Sequence, residues 1–119
     1  MIKPIKKDLD LHKGTTFTID FRLKEDGSTV DVSLWQIDFV AVATISSAAI
    51  IAKSTADSPA TITIDAGEDY LITITVPDTE TAAIVQKGGL HFQIDATPPS
   101  GEVQRRWIGK LILIEAAEE

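Results

Sequence analysis

The most constraining stretch of this 119-residue chain runs from Pro77 to Gly109, PDTETAAIVQKGGLHFQIDATPPSGEVQRRWIG. Asp78 or Thr79 is expected to cap a short helix near residues 78–87, because a short side-chain oxygen accepts the first free backbone N–H groups of a helix. The glycine pair that follows stops this helix, since glycine adopts the left-handed C-terminal conformation without a Cβ clash.

After the glycine pair the apolar pattern changes to a period of two, which is typical of a strand with one buried face. The residues expected on that face are Leu90, Phe92, Ile94 and Ala96. Residues 98–101, PPSG, predict a turn. A long return strand is expected from Val103 to Glu115, and Gly109 within it indicates a bulge or a close approach of another backbone.

The rest of the chain repeats the same pattern of short alternating segments separated by turn residues. About eight or nine short antiparallel strands are expected, which favours an all-β, immunoglobulin-like β-sandwich with one short helix. The predicted organisation is an N-terminal arm at residues 1–7, a single β-sandwich domain at residues 8–115 and an acidic tail at residues 116–119. Val30, Val32 and Leu34 are read as one of the alternating segments, and residues 37–45 as a strand that is apolar on both faces.

Composition excludes several classes of function. The chain has no cysteine, so disulfides and thiolate chemistry are excluded. Its net charge of −7 makes nucleic acid an improbable partner, because phosphates would be repelled. No apolar run is long enough to cross a bilayer, so no membrane association is expected.

No residue pattern predicts catalysis, and the chain is expected to be neither an enzyme nor a binder of a cofactor or metal. Asp8, Asp10 and His12 share one face of an extended segment and have the side-chain types of cation ligands, but exposed strands commonly carry such residues. An acidic turn containing Asp65, Glu68 and Asp69 lacks the spacing of a calcium loop. A metal-dependent enzyme built on the first group is therefore the weakest of three functional hypotheses.

One basic and aromatic cluster remains as a possible contact site for a ligand or a protein partner. Arg105, Arg106 and Trp107 are adjacent, and tryptophan and arginine are enriched where interfaces are strongest. The alternative is that Trp107 lies in the core and the arginine stems cover its edges. Basic residues of the N-terminal arm are further candidate contacts: Lys3, Lys6 and Lys7.

Two groups of motifs resemble a known family. The first is LDLHKGTTF at residues 9–17, followed by FRLKEDGSTVDVSLW at residues 21–35. The second is DTETAAIVQKGGLHFQIDATPPSGEV at residues 78–103, followed by WIGKLIL at residues 107–113. Their order and spacing resemble small virion proteins of tailed phages and prophages, including the N-terminal domain of siphophage upper baseplate proteins.

The resemblance implies an immunoglobulin-like or related β-sandwich with a structural role in the phage tail or baseplate. It implies other virion proteins as partners, a homo-oligomer in the assembly, and assembly in the cytoplasm of the bacterial host. The family supplies no catalytic residues, and the chain is expected to act as a stand-alone module. A carbohydrate- or receptor-binding β-sandwich module, with Trp107 and the two arginines at its site, is the alternative function.

Overall fold

The computed structural model describes residues 5–25, 27–44, 49–56, 61–84 and 88–114. Within these ranges, eleven strands and one short α-helix follow one another along the chain. The strands are β1 (Ile5–Lys6), β2 (Leu9–His12), β3 (Phe17–Phe21), β4 (Lys24–Glu25), β5 (Ser28–Thr29), β6 (Gln36–Val42), β7 (Ala49–Ser54), β8 (Ile62–Asp65), β9 (Leu71–Val76), β10 (Gly89–Thr97) and β11 (Gln104–Ile114). The helix α1 is Asp78–Ala82, and a single 3-10 turn spans Ala66–Glu68.

Two sheets carry the fold. The larger has the order β1-β11-β10-β6-β7, and β2 continues the pairing with β11 beyond β1. The smaller has the order β3-β9-β8, and β4 and β5 form a separate hairpin. In the immunoglobulin scheme the first strand joins the second, fourth and fifth in one sheet, whereas here β1 and β2 pair with β11 of the larger sheet. The predicted all-β sandwich is confirmed.

The core is the apolar layer between the two sheets. The predicted inner face of β10 is confirmed, because Leu90, Phe92, Ile94 and Ala96 are all buried. Phe92 packs beside Phe39 of β6, with ring centroids 5.8 Å apart. The smaller sheet contributes the buried side chains of Ile62, Ile72, Ile74 and Val76. Period-two patterning produces this layer, since every second side chain of a strand points to the same face.

The helix differs from its prediction at both ends. It covers five residues, and residues 85–87 of the predicted span lie outside the described ranges. Its N-cap is Pro77, in an extended conformation and without a side-chain cap, rather than Asp78 or Thr79. Proline fits this position because its fixed φ leads directly into the helix and because it has no N–H to satisfy. No helix in the described part of the chain is long and apolar enough to cross a membrane.

Two strand predictions are corrected. Residues 30–35 form an irregular loop with a turn at residues 33–34 instead of an alternating strand: the Asp31 side chain accepts hydrogen bonds from the Ser33 amide and hydroxyl, and Leu34 is 81% exposed. The first two strands run parallel to β11, whereas all strands were expected to be antiparallel. Alternation specifies which face a strand buries but not the direction of its neighbour.

The predicted N-terminal arm is partly incorporated in the larger sheet. Ile5 and Lys6 pair with Trp107 and Ile108, and the Lys7 amide donates to the Ile108 carbonyl at 2.9 Å. Residues 1–4 of the arm lie outside the described residues, as do residues 115–119, which include the predicted acidic tail. The described part of the arm therefore serves as the first edge of the sandwich.

Candidate functional site

The predicted cluster of Arg105, Arg106 and Trp107 is divided by a β-bulge. Asp95 pairs with Arg105 and Ile94 pairs with Trp107, so Arg106 is the extra residue on β11. A bulge re-aims side chains. Arg105 lies on the outer face of the larger sheet, with Nε 3.1 Å from Asp95 Oδ1. The three side chains therefore do not converge on one site.

Arg106 is buried at the edge of the sandwich, where it holds the β4–β5 hairpin. Its Nη2 atom donates to Glu25 Oε1 at 2.8 Å and to Gln104 Oε1 at 2.5 Å. The side chain of Arg106 is only 9% exposed, while that of Glu25 is half exposed. Arg106 thus has a structural role between β11 and the hairpin.

Trp107 lines an open seam between the two sheets. The centroid of its ring lies 4.5 Å from the ring centroid of Phe21 on the opposite sheet, and the two ring planes meet at an angle of 58°. Leu9 and Ile19 are also half-buried here, and together with Phe21 and Trp107 they form what we call the seam cluster. These side chains surround a cleft of about 60 Å³, whose rim includes Lys7 and Asp20.

Free strand edges flank this cleft. In the described part of the chain, β3 ends the smaller sheet on this side, and β1 and β2 end the larger one. An unpaired strand edge exposes backbone N–H and C=O groups to which a further strand can add. The seam therefore combines an apolar cleft with backbone groups available for pairing.

The outward surface of the larger sheet is a second candidate. The register places Ile108, Gln93 and Val40 side by side across three strands. The side chains of Val40 and Ile108 are half-buried, and Ile112 of the same surface is 43% exposed. We call this surface, formed by the outward side chains of β11, β10 and β6, the outer face. Two shallow depressions of about 400 and 270 Å³ lie over its β10–β11 part.

A row of charged side chains crosses the same outer face. Arg105, Asp95 and Asp38 are direct neighbours on β11, β10 and β6. Asp95 accepts hydrogen bonds from Arg105 Nε and from Gln93 Nε2, whereas Asp38 accepts from the Gln36 amide, with Nε2–O distances of 3.1 and 3.2 Å. The row thus holds one guanidinium and two adjacent carboxylates, and the guanidinium donates to the nearer one, Asp95.

The predicted lysine contacts lie on different surfaces. Lys6 is exposed on β1 and pairs with Ile108, which is on the outer face. Lys7 lies at the rim of the seam. Lys3 lies outside the described residues.

The two acidic groups considered as cation ligands have other partners. Asp8 Oδ1 accepts from the Lys110 amide at 3.1 Å, and Asp10 and His12 are exposed on β2. Asp65 Oδ1 accepts from the Gly67 amide at 3.0 Å, and Asp69 Oδ2 accepts from the Thr29 hydroxyl at 3.0 Å. Within the described ranges, no three histidine, aspartate or glutamate side chains are grouped as metal ligands.

Two polar contacts near α1 were not predicted from the sequence. Lys53, only 9% exposed, points inward from β7, and its Nζ lies 2.7 Å from each carboxylate oxygen of Glu80 on the helix. Thr81 is fully buried: its hydroxyl donates to the Thr15 carbonyl at 2.7 Å and accepts from the Gly14 amide at 3.1 Å. These contacts attach α1 to β7 and to the β2–β3 turn. Their only sequence signal was the lysine within the apolar segment of β7, because α1 itself, DTETA, is mostly polar.

The pKa values of two exposed residues, Asp31 and Tyr70, are shifted by their neighbours. Hydrogen bonds from the hydroxyl and then the amide of Ser33 lower the pKa of Asp31. The negative charge of Asp31 is the main cause of a raised pKa for Tyr70. Tyr70 and the preceding Asp69 both adopt a left-handed backbone, with φ of 57° and 56°.

No family model matches the sequence, and no curated protein matches it. Among solved structures, a 2,6-sialyltransferase of Vibrionaceae Photobacterium sp. JT-ISH-224, in a ternary complex with CMP and lactose, is similar at 12% identity and a TM-score of 0.34. The similarity covers 98% of this chain and only 19% of the sialyltransferase chain. A similarity this low supports no conclusion about fold or activity.

Proposed function

We propose that the chain is a non-enzymatic structural protein of a tailed-phage or prophage virion. In this proposal it is an accessory module of the tail or baseplate, assembled in the host cytoplasm, and it joins other virion proteins. The resemblance of residues 9–35 and 78–113 to such proteins supports the class of protein. The geometry of the seam supports the mode of binding.

The observation that carries the proposal is that the apolar seam cluster lies next to the unpaired edge of β3. A partner strand added to β3 would gain main-chain hydrogen bonds, and one of its apolar side chains would enter the cleft between Ile19 and Trp107. The cleft of about 60 Å³ is less than half the roughly 150 Å³ of a cavity that holds benzene, so it suits a small aliphatic side chain.

The carbohydrate- or receptor-binding alternative has less support from the geometry. The buried Arg106 side chain is hydrogen-bonded to Glu25, and Arg105 lies on the outer face, away from Trp107. A sugar stacked on Trp107 would therefore have neither guanidinium beside it. Specific binding on a glycan array, lost in Trp107→Phe while the fold is retained, would favour this alternative.

The direct test uses particles. Phage particles are induced from a lysogen that carries the gene, purified by density, and probed with an antibody against this chain. The chain is expected in stoichiometric amount in intact or tail-containing particles. Its absence from particles, with abundant soluble chain in the same lysate, would overturn the proposal.

A matched pair of variants tests the binding mode. Thr18 on β3 and Thr63 on β8 are both exposed threonines, on opposite edge strands of the smaller sheet. A lysine on an edge strand disfavours the addition of another strand. Thr18→Lys is expected to reduce incorporation into particles and Thr63→Lys to leave it unchanged. Equal incorporation of both variants would argue against strand addition at β3.

A further inference from the structure

The outer face carries apolar side chains that no described residue covers. The larger sheet packs its inner side on the core, yet Val40, Ile108 and Ile112 point away from that core. Exposed apolar residues that cluster on one surface commonly mark a binding site. The arrangement of the charged row on the same surface indicates which partner fits.

We infer that two copies of the chain pack face to face through the outer face. The two-fold axis that relates them lies between the two sheets and parallel to β10. The inference rests on the proposed function, because a structural module used in several copies needs a contact between them. Such an interface is isologous, so the same surface must complement itself. The β11 side of one copy then lies over the β6 side of its partner.

The apolar row is self-complementary under this symmetry. Ile108 and Val40 flank Gln93 at the same height on the sheet, on opposite sides of β10. Rotation by 180° about this axis places Ile108 of each copy over Val40 of the other. Two sheets packed about 10 Å apart bring such side chains into contact. Apolar contacts therefore flank the axis on both sides, with Gln93 of the two copies between them.

The charged row is self-complementary under the same rotation, which places Arg105 of each copy over Asp38 of the other. The side chain of Arg105 is 53% exposed, and only its Nε atom donates to Asp95. A guanidinium has five N–H donors, so the two Nη groups are available for a second carboxylate. Asp95 lies on β10 and keeps its own partners, Arg105 Nε from β11 and Gln93 Nε2 from β10.

The size of the face predicts a weak dimer. The whole larger sheet, including the strands that flank the outer face, has five strand positions that span about 20 Å across, and the seven residues of β6 span about 23 Å along it. The resulting footprint, on the order of 450 Å² per copy, is about half of the roughly 800 Å² typical of stable interfaces. We therefore expect reversible association, detectable by sedimentation equilibrium up to about 1 mM of chain, a concentration sufficient for a Kd near 0.1 mM.

Two charge variants give the sharpest test. Arg105→Asp is expected to be monomeric alone, because its introduced carboxylates would face Asp38 of the partner. Asp38→Arg is likewise expected to be monomeric alone, because guanidinium groups would face each other. An equal mixture restores opposite charges at both contacts, so it should dimerise at least as well as the wild type.

An uncharged contact supplies a second, independent test. Val40→Asp is expected to abolish association by placing a carboxylate against Ile108, while Thr63→Asp adds the same charge to the smaller sheet and should leave it unchanged. Circular dichroism identifies any variant that fails to fold. Wild-type chain that stays monomeric to about 1 mM, variants that associate like the wild type, or a mixture that stays monomeric would each overturn the inference.

The outcomes separate this inference from the proposed function. Particles that contain the chain, combined with a monomeric purified chain, would overturn only the dimer. A purified dimer with the predicted charge rescue, combined with particles that lack the chain, would overturn only the virion role.

Discussion

Gly109 of β11 lies against the backbone of Lys7, in the break between β1 and β2, which both run alongside β11. A Cβ atom at Gly109 would collide with the Lys7 carbonyl oxygen and come within 2.7 Å of its carbonyl carbon. β1 and β2 keep one register on β11 on either side of this break, and Asp8 Oδ1 accepts a hydrogen bond from the Lys110 amide there. The absence of a side chain at Gly109 thus allows the edge strand to pass.

Gly109→Ala is expected to displace the N-terminal strand and to lower the free energy of unfolding by about 1–3 kcal/mol, the usual cost of overpacking. Hydrogen exchange should show faster exchange for the Lys7 and Lys110 amides. Gly89→Ala is the control, because a Cβ there would meet the Leu111 carbonyl oxygen at 3.2 Å, a strain that small shifts relieve. Equal losses in the two variants would contradict the importance of this close backbone approach.

The contact between Lys53 and Glu80 predicts an asymmetric response to mutation. Glu80→Ala leaves the Lys53 ammonium buried without its carboxylate and is expected to cost on the order of 1–3 kcal/mol of stability. Lys53→Met replaces the buried charge by an apolar chain of similar length, and the half-exposed Glu80 returns to water, so the cost should be below about 1 kcal/mol. Chemical denaturation of both variants measures the difference. A larger loss in Lys53→Met than in Glu80→Ala would refute this account.

The features that alternation governs were predictable from the sequence. The inner face of β10 followed from its period of two, and the close approach at Gly109 is one of the two alternatives, with a bulge, that a glycine within a strand predicts. The same rule gave a wrong result at Val30 to Leu34, where Val32 is buried but Leu34 is exposed. There, a side-chain to backbone hydrogen bond from Ser33 to Asp31 forms a turn, which competes with strand formation.

The candidate sites were less predictable because they depend on contacts between distant parts of the chain. The bulge at Arg106 places Arg105 and Trp107 on different faces, although strict alternation would place them on the same one. Lys53 and Glu80 are 27 positions apart, and their contact requires that β7 and α1 be adjacent. The seam and the outer face arise from strand order, which local patterning does not specify.

Because the buried Thr81 hydroxyl is hydrogen-bonded, its removal is expected to lower stability strongly even when the side chain keeps its shape. Thr81→Val keeps the shape of the side chain but leaves the Thr15 carbonyl and the Gly14 amide without this partner, at an expected cost of about 1–3 kcal/mol. Thr79→Val on the exposed side of the same helix is the matched control and should change stability by less than about 0.5 kcal/mol. Thermal unfolding of the two variants measures the difference, and similar melting temperatures would show that the buried hydroxyl contributes little.

The Asp31 turn predicts how stability depends on acid. Ser33 hydrogen bonds lower the pKa of Asp31 from its ordinary value of 3.8, so the unfolded chain binds this proton more tightly than the folded one. Its contribution to stability is therefore complete above pH 3.8 and is lost as the pH falls through the lower pKa of the folded protein.

Asp31→Ala should lower the Tm at neutral pH, and its difference from the wild type should shrink below pH 3.8. Asp31→Asn, which keeps an acceptor for Ser33 but cannot titrate, should retain much of the neutral-pH stability and lose this part of the pH dependence. A difference between wild type and Asp31→Asn that stays constant from neutral pH to below 3.8 would contradict the role of the carboxylate.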